Sequence, residues 1–227
     1  MLPEDDTTLE NENVKIPTWL IYFVFLLFVI SVFGFVYFHR FSKCIHDYKL
    51  SIKTFQENDL EAAEQYITNA SYLVPDNNDI LSFKYYVSGI KYSTEEKYEE
   101  ALEELHKYQA LNSDNSYVEQ LITMLEISKA FDDKNYSQMV VHAAKLYSDQ
   151  NTDPLVILQY ASALACEYVE TENMDDYNKV LDLIETARTY DLDDSNLDYI
   201  KRIEYRLTSK KIISKEEYHQ LEKEGKL

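Results

Sequence analysis

The sequence predicts an all-α protein: a single transmembrane helix followed by an α-solenoid of about four helical hairpins and C-terminal capping helices. Three observations carry this expectation. An uncharged apolar run of twenty residues lies near the N-terminus. Apolar residues recur at helical spacing in four later segments set about forty positions apart. Glycine and proline number only 3 and 4 in 227 residues, whereas many short strands joined by tight turns would need more of both. The expected organisation is an acidic N-terminal tail over 1–17, a transmembrane helix over 18–39, a repeat domain over 40–192 and capping helices over 193–227.

The apolar run, Trp19 to Phe38, reads WLIYFVFLLFVISVFGFVYF. At 1.5 Å per residue it is about 30 Å long, the thickness of a hydrocarbon core. Trp19, Tyr22 and Tyr37 lie near its ends, where amphipathic rings favour the headgroup zone. A cleaved signal peptide would need a basic leader, a shorter core and a small-x-small exit. Here Glu4, Asp5, Asp6, Glu10 and Glu12 precede the run with only Lys15 against them, and the run ends in bulky residues. An uncleaved anchor is therefore expected. Arg40, Lys43, Lys49 and Lys53 follow it. The positive-inside rule then puts the N-terminus outside and the repeat domain in the cytoplasm. No glycine or proline interrupts Arg40 to Gln56, so the anchor is expected to run on into the first helix of the domain.

Four segments share apolar residues at i, i+3, i+7 and i+10: Leu60, Ala63, Ile67, Ala70; Tyr98, Ala101, Leu105, Tyr108; Tyr136, Met139, Ala143, Leu146; and Tyr177, Val180, Ile184, Ala187. This is the stripe of a helix buried along one face. Polar pairs suited to helix starts precede each: Asn58-Asp59, Glu96-Lys97, Lys134-Asn135 and Asp175-Asp176. Ser93-x-x-Glu96 also fits a capping box. Further helical stretches, roughly 41–56, 77–92, 115–132 and 154–170, alternate with the striped ones. The unit is a helical hairpin, and stacking such units would close one continuous interior. Toward the C-terminus Leu197, Ile200, Ile203 and Leu207 form another stripe, and Ser214-x-x-Glu217 opens a last helix over 215–224.

Tyr85, Gly89, Tyr92, Ala101 and Leu105 fit the small-and-aromatic pattern of one family, as do Ala63, Ile67, Ala70 and Pro75 in the preceding unit. On these residues the chain resembles tetratricopeptide repeat (TPR-like) proteins with an N-terminal membrane anchor. Met139 and Val180 stand where the family has a small residue, and the steps of 38, 38 and 41 exceed its usual period. The resemblance implies that the first helix of each unit lines a concave surface. In this chain those positions are Tyr48, Ile52 and Phe55, then Phe83, Tyr86 and Ile90, then Leu121, Met124 and Phe131. A groove so lined would bind an extended or helical peptide through aromatic anchors. Packing against the next hairpin or the C-terminal helix is the competing reading, and a register error of one residue would turn these side chains into the core.

The formal net charge of −19 argues against nucleic acid, whose phosphates are bound by Lys and Arg. Acidic helix faces that simply solvate the domain account for the same charge. Cys44 and Cys166 form no paired motif, and His39, His46, His106, His142 and His219 stand alone. No nucleophile, metal set or phosphate loop assembles, so neither an enzyme nor a cofactor is expected. The family implies an adaptor or scaffold that binds a protein partner at the membrane surface. Acidic helices beside an apolar groove suit a basic and hydrophobic segment. The alternative is a structural accessory subunit of a larger membrane complex, with its helix faces as permanent interfaces.

Overall fold

The computed structural model describes residues 17–150 and 152–226; the acidic stretch before Pro17 lies outside them. The described residues form ten helices and no strand: α1 Thr18–Gln56, α2 Leu60–Leu73, α3 Asn78–Thr94, α4 Tyr98–Leu111, α5 Ser116–Asp132, α6 Tyr136–Asp149, α7 Pro154–Thr171, α8 Met174–Ala187, α9 Asp194–Ser209 and α10 Lys215–Lys223. Each of the first seven packs on the next, and α9 returns to α7.

Helix α1 is unbroken over 39 residues, about 58 Å of rod. Its first half is long and apolar enough to cross a membrane, and none of that window is buried against the rest of the chain. Ser31, the one hydroxyl in mid-run, donates back to the Leu27 carbonyl at 2.8 Å, which removes a bare polar group from an apolar stretch. The second half buries only Cys44, Asp47 and Ser51. These small side chains let α2 come close. Ser51 Oγ donates to the Ala63 carbonyl at 2.7 Å, Cys44 Sγ to Ala70 at 3.7 Å, and Arg40 to Leu73 at 3.4 Å.

The even-numbered helices α2, α4, α6 and α8 begin at 60, 98, 136 and 174, a constant step of 38. The joints before them repeat at the same step. Asn58, Glu96, Lys134 and Glu172 all have left-handed backbone, with φ between 55° and 62°. At the first three joints the amide after this residue bonds five residues back, Asp59 to Thr54, Lys97 to Tyr92 and Asn135 to Ala130, which closes a Schellman turn. Asp59 and Asn135 then cap the next helix through their side chains.

The structure corrects four sequence expectations. Ser93 and Glu96 form no capping box: Ser93 still belongs to α3, Glu96 is the left-handed joint, and the Lys97 side chain caps nothing. Helix α8 begins at Met174 under an Asn173 cap, so Asp175 and Asp176 fall in its first turn, where carboxylates suit the helix dipole. Leu197 is exposed although Ile200, Ile203 and Leu207 are buried. The interior is three clusters, not one. Cys44, Ala63, Ile67, Ala70, Ile80 and Val87 form the first, and Ala101, Leu105, Val118, Ile122 and Leu125 the second. The third gathers around α7 and reaches from Ile127 to Leu207. Half-buried rings such as Tyr86, Tyr92 and Tyr108 pack against the second cluster, and their hydroxyls need water or a partner.

Gly89 shows how tight the α3–α4 contact is. A Cβ there would sit 2.6 Å from Leu105 Cγ and 2.7 Å from its Cδ2. Leu105 is fully buried and has nowhere to retreat. Gly89→Ala gains about 1 kcal/mol of helix propensity but overpacks the seam at a cost of about 1–3 kcal/mol. Net destabilisation is expected in denaturant titrations of the full chain in detergent. Leu105→Ala alone should also destabilise, and the double variant should be more stable than the sum of the single losses predicts. Strict additivity would place the two side chains out of contact.

Candidate functional site

The face built by α1, α3 and α5 carries a chain of rings. Tyr48 and Phe55 on α1 meet Phe83 on α3 edge-on, each at 5.8 Å between centroids. Phe55 also meets Tyr86, and Tyr86 meets Tyr108 at the end of α4, both at 5.6 Å. Tyr48, Phe83, Tyr86 and Tyr108, together with Tyr117 on α5, wall a hollow of about 530 Å³. Its polar wall is Asp79, Ser82 and Asn115.

Side-chain amides of the α4–α5 turn hold this wall. Asn112 donates to Ser82 Oγ and to the Tyr108 carbonyl. Asn115 accepts the Val118 amide as the α5 cap and donates to the Tyr108 hydroxyl at 2.8 Å. Burial pushes the Tyr86 hydroxyl pKa up, and the neighbouring Tyr117 and Tyr108 hydroxyls add to it, so Tyr86 stays a neutral donor at physiological pH. Asp79 enters no ion pair among the described residues. The hollow therefore presents π faces, neutral hydroxyls and one carboxylate. Such a wall suits an apolar group with a cationic end.

The nine groove positions named from the sequence do not form one line. Tyr48, Phe83 and Tyr86 line the hollow, and Phe55 is stacked among them. Ile52 and Ile90 are half-buried and do not line it. Leu121 packs on the second core cluster, and Met124 and Phe131 pack on the third. Phe131 lies 5.6 Å under the guanidinium of Arg206 from α9, so the C-terminal helix occupies the far end of this face. Tyr108, Tyr117, Asp79 and Asn115 are not named from the sequence as groove residues. Tyr117 had a signal, since it stands one 38-residue step after Asp79.

The hollow lies near the end of the apolar run. Tyr48 is ten positions beyond Phe38, about 15 Å along the helix. Arg40, bonded to Leu73, holds the α2–α3 turn at the level where the run ends, and Tyr72 beside it is 81% exposed.

Elsewhere some lysines are locally paired. Lys91 on α3 bridges Glu61 and Glu64 on α2 at 2.6 and 2.7 Å, and both carboxylates raise its pKa. Lys107 is held by Glu103 and Glu104. Among the described residues no three His, Cys, Asp or Glu side chains come together in a way that could hold a metal. Cys44 and Cys166 are free and buried, and burial raises both thiol pKa values, which keeps the thiolate scarce. No protein-family model, curated protein or solved structure matches the chain.

Proposed function

We propose that the chain is a membrane-anchored, TPR-like adaptor: four helical hairpins and a C-terminal cap form an α-solenoid that holds a protein segment at the membrane surface. The observation that carries this reading is the open aromatic hollow on α1, α3 and α5, built partly on the same helix as the apolar run. The constant 38-residue step of helix starts and left-handed joints supports the repeat. Half-buried rings with paired amides around them are an arrangement suited to recognition, since aromatic anchors contribute much of the energy at interfaces. The Asp79 carboxylate and the net charge of −19 favour a partner segment that is basic and hydrophobic. The excess of Arg40, Lys43, Lys49 and Lys53 after the run favours a cytoplasmic domain and an external N-terminus.

The second reading, a permanent subunit of a larger membrane complex, has its own support. Val141 on α6 and Leu181 on α8 are exposed, at 59% and 43%, on helices that do not line the hollow. A fixed interface would use such faces.

Photo-crosslinkers at Tyr117 and at Val141, each in the full chain in its native membrane, separate the two. The adaptor reading expects a discrete adduct from position 117 that loses at least five-fold intensity in Tyr86→Ala, with the captured segment both basic and apolar. Adducts from position 141 alone, indifferent to Tyr86→Ala, would replace it with the subunit reading. For topology, Ser113→Cys provides an exposed thiol in the α4–α5 turn. An impermeant thiol reagent should modify it only after the membrane is opened; labelling of intact cells would reverse the orientation.

A further inference from the structure

Behind the filled end of the aromatic face lies a second cavity of about 380 Å³, between α5, α7, α9 and the start of α10. Arg206 forms part of its wall and is only 4% exposed. Buried charges are as a rule paired, because removing an ion from water is costly. Arg206 is not. Its Nη1 donates to Ser162 Oγ on α7, and its guanidinium lies over the Phe131 ring. Its Nε is buried without a hydrogen-bond partner, and no carboxylate among the described residues reaches ion-pair distance of it. The unpartnered Nε belongs to the side-on edge of the guanidinium, the fork that matches two oxygens of one carboxylate or phosphate. Gln159 lines the same cavity, and its Oε1 is likewise buried without a partner.

Two further cations border the space. Arg202 is tied to Asp198 at 3.2 Å, whereas Lys215, in the first turn of α10, has no ion pair among the described residues. Glu96, Asp132 and Glu216 also contribute to the wall, so its formal charge is balanced as a whole. The selectivity is therefore local: an unpartnered Nε and an unpartnered amide oxygen belong to residues that line one cavity, with Lys215 at its α10 end.

We propose that this cavity is a binding site for an oxyanion that carries a hydrogen-bond donor: two oxygens on the Arg206 fork, and an O–H or N–H toward Gln159 Oε1. Hydrogenphosphate has both parts, and so does a carboxylate with an N–H one carbon away. The site is separate from the aromatic hollow and does not depend on what that hollow binds.

The test uses the full chain in detergent, titrated at constant ionic strength with inorganic phosphate or with N-acetylglycine against a sodium chloride reference. Binding is read by calorimetry and by the arginine Nε–H resonances in nitrogen-edited NMR. Saturable binding of one probe is expected, with the Arg206 resonance moving and those of Arg40 and Arg188 still. Phosphate alone identifies a phosphate-type ligand, and N-acetylglycine alone a carboxylate. Arg206→Lys keeps the charge but loses the fork, so affinity should fall at least ten-fold. If that variant does not fold, the wild-type Arg206 resonance decides. Neither probe binding above the chloride reference, or binding that leaves the Arg206 resonance in place, overturns the site.

Discussion

The seam between α1 and α2 is the contact on which the remaining helices are registered. Three side chains of α1 reach backbone carbonyls of α2 in antiparallel order: Ser51 to Ala63, Cys44 to Ala70, Arg40 to Leu73. Ser51 is fully buried, and a buried hydroxyl stripped of its partner costs about 1–3 kcal/mol. Sliding α2 by one turn would orphan it, and would also carry Ala63 and Ala70 away from the small face that lets the helices approach. Each later helix up to α8 packs on its predecessor and so inherits this register. Because α1 is continuous, the same seam fixes the height of the domain above the apolar run.

How much of this was legible in the sequence depended on whether a feature was local. The stripes Ala63, Ile67, Ala70 and Tyr136, Met139, Ala143, Leu146 could be read because helical spacing alone puts them on one face, and all are buried. The starts of α2 and α6 could be read because Asp59 and Asn135 are good caps. The start of α4 at Tyr98 was legible from its stripe, but the joint before it was not. That joint is made by a left-handed glutamate, a conformation this residue type disfavours and which the docking of α4 on α3 imposes. At α8 the buried stripe steps by 41 while the helix start steps by 38. Three residues are nearly one turn, so the stripe can slide along the helix and still face inward. The period of burial and the period of the chain then differ, and only the coordinates separate them.

The candidate site divides along the same line. Tyr48, Phe55, Phe83 and Tyr86 were assigned to one face by the repeat resemblance together with helical spacing. Tyr108 and Tyr117 join them only because a helix end and the next helix start are folded against the ring row through Asn112 and Asn115. Phe131 was expected on the same face as Phe83, yet the two meet different fates. The difference is made by α9, which brings Arg206 over the Phe131 ring. Half of the aromatic face is thus left open and half is closed by the chain itself.

The closed half also explains how an unpaired arginine can persist there. Lys91 and Lys107 each take two carboxylates at contact distance, whereas Arg206 takes none. Yet the chain as a whole carries a charge of −19, and in the wall of the same cavity Glu96, Asp132 and Glu216 outnumber the two other cations, Arg202 and Lys215. Their summed potential lowers the cost of the buried cation without any single contact, and the Phe131 ring adds to it. The same potential opposes an entering anion. A small ion offering only charge would lose most of its attraction to this field, while one that engages both nitrogens of the fork gains short, directional bonds that the field does not cancel. Salt screens the distant surface charges over about 8 Å but leaves the buried fork almost untouched. The acidic exterior and the orphaned guanidinium therefore act together: one offsets part of the cost of burying the arginine, and the other makes geometry, not charge, the condition for entry.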